Sequence, residues 1–108
     1  MSPDTYGCSF GLGNRVKVEL YIDKGDAGLN KKLFEWILAQ RQQVEQKLGV
    51  ALEWERLDDR RSSRIALYRN GSILDNEQTL EEIRQWAVKH LLAFKAIFGE
   101  LLKNMPAN

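Results

Sequence analysis

Leu52-Glu53-Trp54-Glu55-Arg56-Leu57, then Asp58-Asp59-Arg60-Arg61-Ser62-Ser63, then Arg64-Ile65-Ala66-Leu67-Tyr68-Arg69 is the stretch that decides the fold. In an extended chain successive side chains point to opposite faces, so Leu52 and Trp54 share one side of the first segment while Glu53 and Glu55 share the other. In the second segment Ile65 and Leu67 fall together, and Arg64, Ala66 and Tyr68 point the opposite way. Two such runs joined by a polar loop predict a strand pair with one dry face and one charged face. The charged face is where a function could sit.

Upstream, Val16, Val18, Leu20 and Ile22 alternate with Lys17, Glu19, Tyr21 and Asp23, which predicts a further strand over Arg15 to Asp23. Residues 1–13 contain Gly7, Gly11 and Gly13 and read as a flexible arm, or as an edge strand over Tyr6 to Leu12. Lys24-Gly25-Asp26-Ala27-Gly28 forms a turn, and Asn30 is placed to cap a helix. Leu33, Phe34, Ile37, Leu38, Val44 and Leu48 recur along that helix, and Gly49 stops it. After Asn70-Gly71, a pair that tolerates positive φ, a last helix begins near Asp75, Asn76 or Thr79. Its apolar stripe runs through Leu80, Ile83, Ala87, Leu91 and Phe94 to Phe98, Leu101, Leu102 and Met105, and Pro106 ends it.

The order is therefore (β)βαββα, a two-layer α+β sandwich over residues 14–105 with two helices on one face of a three- to four-stranded sheet. The sheet is mixed if the first secure strand neighbours the second, and wholly antiparallel if it neighbours the third. A last helix of about 40 Å overhangs strands of about 27 Å. Its tail, Phe98, Leu101, Leu102 and Met105, is then exposed, bent at Gly99, or covered by a second chain in a homo-oligomer.

With 108 residues the chain has room for one core. Sixteen Lys plus Arg against fifteen Asp plus Glu leave a net charge of +1, so no overall field draws it to nucleic acid or membranes. No apolar run is long enough to span a bilayer. A single cysteine, Cys8, and no leader-like segment point to the reducing cytoplasm. One histidine and one cysteine make an ordinary zinc site implausible, and no cofactor motif is present.

Trp36, Trp54 and Trp86 read as core packing, and His90 has no sequence-marked catalytic partner. Glu53 and Glu55 share a strand face, about 6.8 Å apart, and could hold Mg²⁺ for phosphodiester hydrolysis with Glu19 or Asp23 nearby. A restriction-type nuclease usually has lysine two residues after the strand glutamate, and Glu55 stands there instead. Cross-strand ion pairs explain the same carboxylates without chemistry. From Arg56 to Arg69 there are five arginines and two aspartates, with Tyr21 and Tyr68 as flat neighbours. Forked guanidinium groups suit phosphate or carboxylate.

Val18-Glu19-Leu20-Tyr21-Ile22-Asp23, Asn30-Lys31 with Phe34, Val44-Glu45, Leu48-Gly49, Leu52-Glu53-Trp54-Glu55-Arg56-Leu57 and Ser63-Arg64-Ile65 together resemble an uncharacterised prokaryotic family, a domain of unknown function. The resemblance covers roughly Arg15 to Phe98. Members are often attached behind a nuclease-like domain of the restriction-endonuclease type. This company implies an accessory module that binds nucleic acid, a protein partner or a neighbouring domain in DNA-processing or defence systems. Arg56, Arg60, Arg61 and Arg64 are the residues expected to make anionic contacts, with Glu53, Glu55 and Tyr68 shaping the same face.

Overall fold

The structure, a computed structural model, describes residues 4–105. Along the chain run strands β1 (Asp4–Gly11) and β2 (Arg15–Ile22), helices α1 (Ala27–Leu38) and α2 (Arg41–Leu48), strands β3 (Glu53–Glu55) and β4 (Ser63–Asn70), and helix α3 (Glu77–Lys103). The four strands form one sheet in the order β1-β2-β4-β3, every neighbour antiparallel. The architecture is α+β.

Alternation in β2 fixes the sidedness of the sheet. Val16, Val18, Leu20 and Ile22 are fully buried, while Arg15, Lys17, Glu19 and Tyr21 line the opposite face. Register carries this division across the neighbours: Leu20 stands between Tyr6 and Ile65, and Ile65 stands opposite Trp54. The helices cover the apolar side, where Phe34, Ile37, Val44, Phe94 and Phe98 join Leu20, Ile22 and Ile65 in one core. The rings of Phe94 and Phe98 meet edge to face at 5.3 Å, and those of Phe34 and Trp54 at 6.5 Å.

Three local expectations change. The expected single helix to Leu48 is two, broken at Ala39 and Gln40, where Gln40 has φ −108° and ψ 16° and its N–H donates to Ile37 O at 2.9 Å. The apolar series already gaps there, from Leu38 to Val44, so nothing holds a straight helix to the core across residues 39–43. Asp26 rather than Asn30 caps α1, accepting from Leu29 N at 3.0 Å, and Asn30 lies fully buried inside the helix. Gly71 has no positive φ; those conformations belong to Gly13, Asn14, Gly25, Gly49 and Leu57. Gly71 is required for space, because a Cβ there would stand 2.7 Å from Ile83 Cδ1 and 2.8 Å from Val16 Cγ2.

The front of the chain forms a strand. β1 pairs with β2 residue for residue through a turn at Leu12, Gly13 and Asn14, in which Gly13 and Asn14 take the left-handed conformation. Residues 1–3 of the expected arm and the stop at Pro106 lie outside the described residues.

Helix α3 starts at one of the expected caps and does not break at Gly99. Asn76 caps the helix, accepting from Thr79 N at 2.8 Å, and the helix runs on through Gly99. Phe98 is fully buried within this chain, Leu101 and Leu102 pack on the core, and Met105 is 39% exposed. The turn between α1 and α2 lets α2 fold back along α3, so the helices of the chain itself cover most of the apolar stripe that overhangs the sheet.

Gly71→Ala is expected to destabilise the fold by about 1–3 kcal/mol, the usual range for overpacking. Gly7→Ala, whose Cβ meets nothing within 4 Å, should change stability little. Urea unfolding of both variants checks the contrast.

Candidate functional site

The uncovered face of the sheet is built by register. Tyr21 stands opposite Arg64 and Arg64 opposite Glu55; Glu19 stands opposite Ala66 and Ala66 opposite Glu53; Lys17 stands opposite Tyr68. Arg64 spans two strands, with Nε donating to Glu19 Oε1 at 2.8 Å and Nη1 to Glu55 Oε1 at 3.0 Å. The Tyr68 hydroxyl donates to the other Glu55 oxygen at 2.6 Å, and Lys17 Nζ lies 3.7 Å from Glu19. Arg15 stacks its guanidinium 4.1 Å from the Tyr68 ring centre. Ala66 is fully buried among these longer side chains.

The electrostatics are local and balanced. Arg15, Lys17 and Arg64 face Glu19, Glu53 and Glu55, three charges of each sign. Burial works against the Arg64 charge, but the Glu19 and Glu55 carboxylates prevail and raise its pKa. Burial, reinforced by the hydrogen bond to Glu55, pushes the Tyr68 phenol up as well, so at neutral pH it remains a donor. Both oxygens of Glu55 are therefore occupied, and Glu53 is exposed. Among the described residues no group of three or more His, Cys, Asp or Glu stands so as to hold a metal ion. Pairing with Arg64 accounts for the Glu19 and Glu55 carboxylates.

The arginine loop does not share one surface with this face. Arg56 turns to the helix side, with Nε 3.2 Å from Glu35 of α1 and a further pair to Asp58. Arg61 reaches Asp23 at 2.6 Å. Arg60 is exposed, and its guanidinium has no partner among the described residues. Of the residues expected to act together, Glu55, Arg64 and Tyr68 meet, Glu53 flanks them, and Arg56, Arg60 and Arg61 diverge.

Two residues that carry no expected site role organise the loop. Lys31 Nζ donates to the carbonyls of Arg56, Leu57 (2.9 Å) and Ser62, and to Ser63 Oγ at 3.1 Å. Asn30 accepts from Lys24 N at 2.6 Å and donates to Arg61 O at 2.9 Å and Asp23 Oδ1 at 3.2 Å. The loop can thus adopt a left-handed Leu57, φ 57°, that an aliphatic residue otherwise disfavours. A similar anchor holds β3: Glu45 of α2 accepts from Leu52 N at 2.8 Å and Trp54 Nε1 at 3.0 Å, which lowers its pKa. The available signal was that Asn30-Lys31, Val44-Glu45 and Trp54 all belong to the segments that carry the family resemblance.

A family model described as "Domain of unknown function (DUF4268)" matches residues 5–102. The chain belongs to this family. No curated protein and no solved structure matches it. In this DUF4268 domain, then, much of the familiar sequence pattern serves architecture: Asn30, Lys31, Glu45 and Ser63 bind loops to helices, and Gly49 closes α2 in the left-handed conformation.

Two further features complete the surface. A groove of about 870 Å³ runs along α1, lined by apolar Leu29, Leu33, Trp36 and Met105 and by charged Lys32, Glu35 and Arg56. His90 is half-buried on α3, its Nδ1 2.9 Å from Trp86 O and its ring 5.2 Å from that indole. It packs against its own helix.

Lys31→Met should leave several backbone carbonyls without their donor, cost about 1–3 kcal/mol, and raise hydrogen exchange across residues 56–62. Asp23 gives a pH test. The Arg61 guanidinium, then the Gly25 N–H, with a smaller share from Asn30, hold its carboxyl down at about 2 against partial burial. A depressed folded value stabilises above the unfolded value of about 3.9 and is lost as pH falls towards 2. The stability difference between wild type and Asp23→Ala should be constant above about pH 5 and shrink as the pH falls through that window. Urea midpoints across pH measure it.

Proposed function

We propose that this DUF4268 domain is a recognition module without catalytic chemistry, and that it docks a protein surface or a neighbouring domain through the open face of its sheet. The observation that carries this reading is the locked state of that face. Arg64 is held between Glu19 and Glu55, Tyr68 is fixed by Glu55, and Arg15 lies on the Tyr68 ring. Side chains ordered before contact lose less freedom on binding. Tyrosine and arginine are also the types enriched where interfaces concentrate their energy.

The balance of charge favours protein over nucleic acid. A surface for phosphates needs cations left over after internal pairing, whereas this face has three of each sign. The wider setting in the proposal is an accessory role beside a nuclease-like domain in a DNA-processing or defence protein of the prokaryotic cytoplasm. A second reading, contact with nucleic-acid phosphates, rests on Arg60, whose guanidinium at the loop has no partner among the described residues.

Affinity capture from the source cell with Lys17→Glu and Glu53→Arg variants tests the first reading. Both substitutions reverse a charge on the face without emptying the core. Loss of the captured partner by about tenfold or more, with an unchanged circular dichroism spectrum, is expected. Retention in both variants excludes the face. Anisotropy with a labelled DNA duplex and single strand tests the second reading. Binding that falls steeply between about 50 and 200 mM salt, and that an Arg60→Ala, Arg61→Ala double variant removes, would transfer the function to the loop.

A further inference from the structure

The two edges of the sheet are unlike. β3 is three residues long, carries Glu53 and Glu55, and runs into a left-handed Leu57, all devices that keep another strand away. β1 has none of them. It is eight residues long, pairs with β2 without a bulge from Asp4 to Gly11, and contains neither charge nor proline between Thr5 and Gly11. Among the described residues no strand pairs with its outer side. Along its helix-side row Cys8 is exposed and Phe10 is 42% exposed, at the rim of the core.

The order of side chains on this edge is symmetric by type. Tyr6-Gly7-Cys8-Ser9-Phe10 reads aromatic, small, cysteine, small, aromatic from either end. An antiparallel strand approaching about a two-fold axis presents the same sequence reversed. We propose that β1 pairs with β1 of a second copy about a two-fold axis at Cys8, joining two sheets into one of eight strands.

In that register Cys8 faces Cys8 of the second copy, Tyr6 faces Phe10, Gly7 faces Ser9 and Thr5 faces Gly11. The aromatic pairs fall on the helix side, continuing the apolar row of Tyr6, Leu20, Ile65 and Trp54 across the junction. The small residues fall on the open side, where no bulk obstructs the approach. Shifting the register by one residue sets Tyr6 against Ser9 or Gly11 and loses this match, since a one-residue slip moves every side chain to the other face. The outer edge of β1, which no described strand pairs, supplies backbone hydrogen bonds, and the matched row supplies the choice of a second copy over an unrelated strand. This pairing uses a different surface from the open face and stands apart from the docking reading.

Cys8 gives a direct test, because it is exposed in the single chain and lies on the proposed axis. Cys8→Lys places two ammonium groups opposite each other, and Cys8→Glu two carboxylates. Sedimentation should show the wild type at twice the 12.5 kDa chain mass at micromolar concentrations and above. Each variant alone should associate at least tenfold more weakly, with its circular dichroism unchanged, and an equimolar mixture of the two should recover the dimer. A wild type that stays monomeric overturns the proposal. So do variants that dimerise as the wild type does, or a mixture that fails to recover association.

Discussion

The ammonium of Lys31 and the amide of Asn30 join the helical layer to the connection between β3 and β4, and much else in the molecule rests on that joint. From adjacent positions at the start of α1 they reach the backbone of Arg56, Leu57, Arg61 and Ser62. Asn30 is wholly buried, and an amide in that position is tolerated because its oxygen and both hydrogens find partners at Lys24, Asp23 and Arg61. Leu57 can then turn left-handed, β3 can end after three residues, and Ser63 can begin β4 buried rather than frayed. The hydroxyl of Tyr21, donating to Ser62 Oγ at 2.9 Å, carries the same constraint to the open face.

The division of the sheet into two faces was legible because its signal is strictly periodic. A residue such as Leu20 or Ile65 has two faces to choose from, and its neighbours determine which. Strand order was less legible. The pairing of β2 with β4 is a contact between Leu20 and Ile65 across a long separation, and no local pattern distinguishes it from pairing with β3. The break at Gln40 left only a gap in apolar spacing, and the capping role of Asp26 was hidden by the equally suitable Asn30. Gly71 shows a different limit. A glycine needed for positive φ and one needed for clearance look identical until Ile83 and Val16 are placed beside it.

For the candidate site, sequence supplied the residues but not their allegiances. Glu55, Arg64 and Tyr68 were correctly set on one face, since alternation alone does that. Arg56 was not, because β3 ends before it and the chain turns towards Glu35. A cluster of arginines looks like an anion site only while its carboxylates are unaccounted for. Asp23, just beyond β2, takes up Arg61, and Glu35 of α1 shares Arg56 with Asp58, so two guanidinium groups of the loop are engaged by carboxylates, two of which lie outside it. Such partly exposed pairs add little stability singly, but they set the direction in which each side chain projects. The family pattern has the same double character: Glu45 and Trp54 are tied to one another by a hydrogen bond that secures β3 to α2.

The grip of Lys31 on main-chain oxygens has a consequence for variation. A carbonyl is present whatever the side chain, so this clamp does not read the identity of the residues it restrains. Asp58, Asp59 and Arg60 project from a frame whose shape is set elsewhere and can be exchanged while the frame persists. The identity of these exposed side chains is thereby uncoupled from the packing of the core.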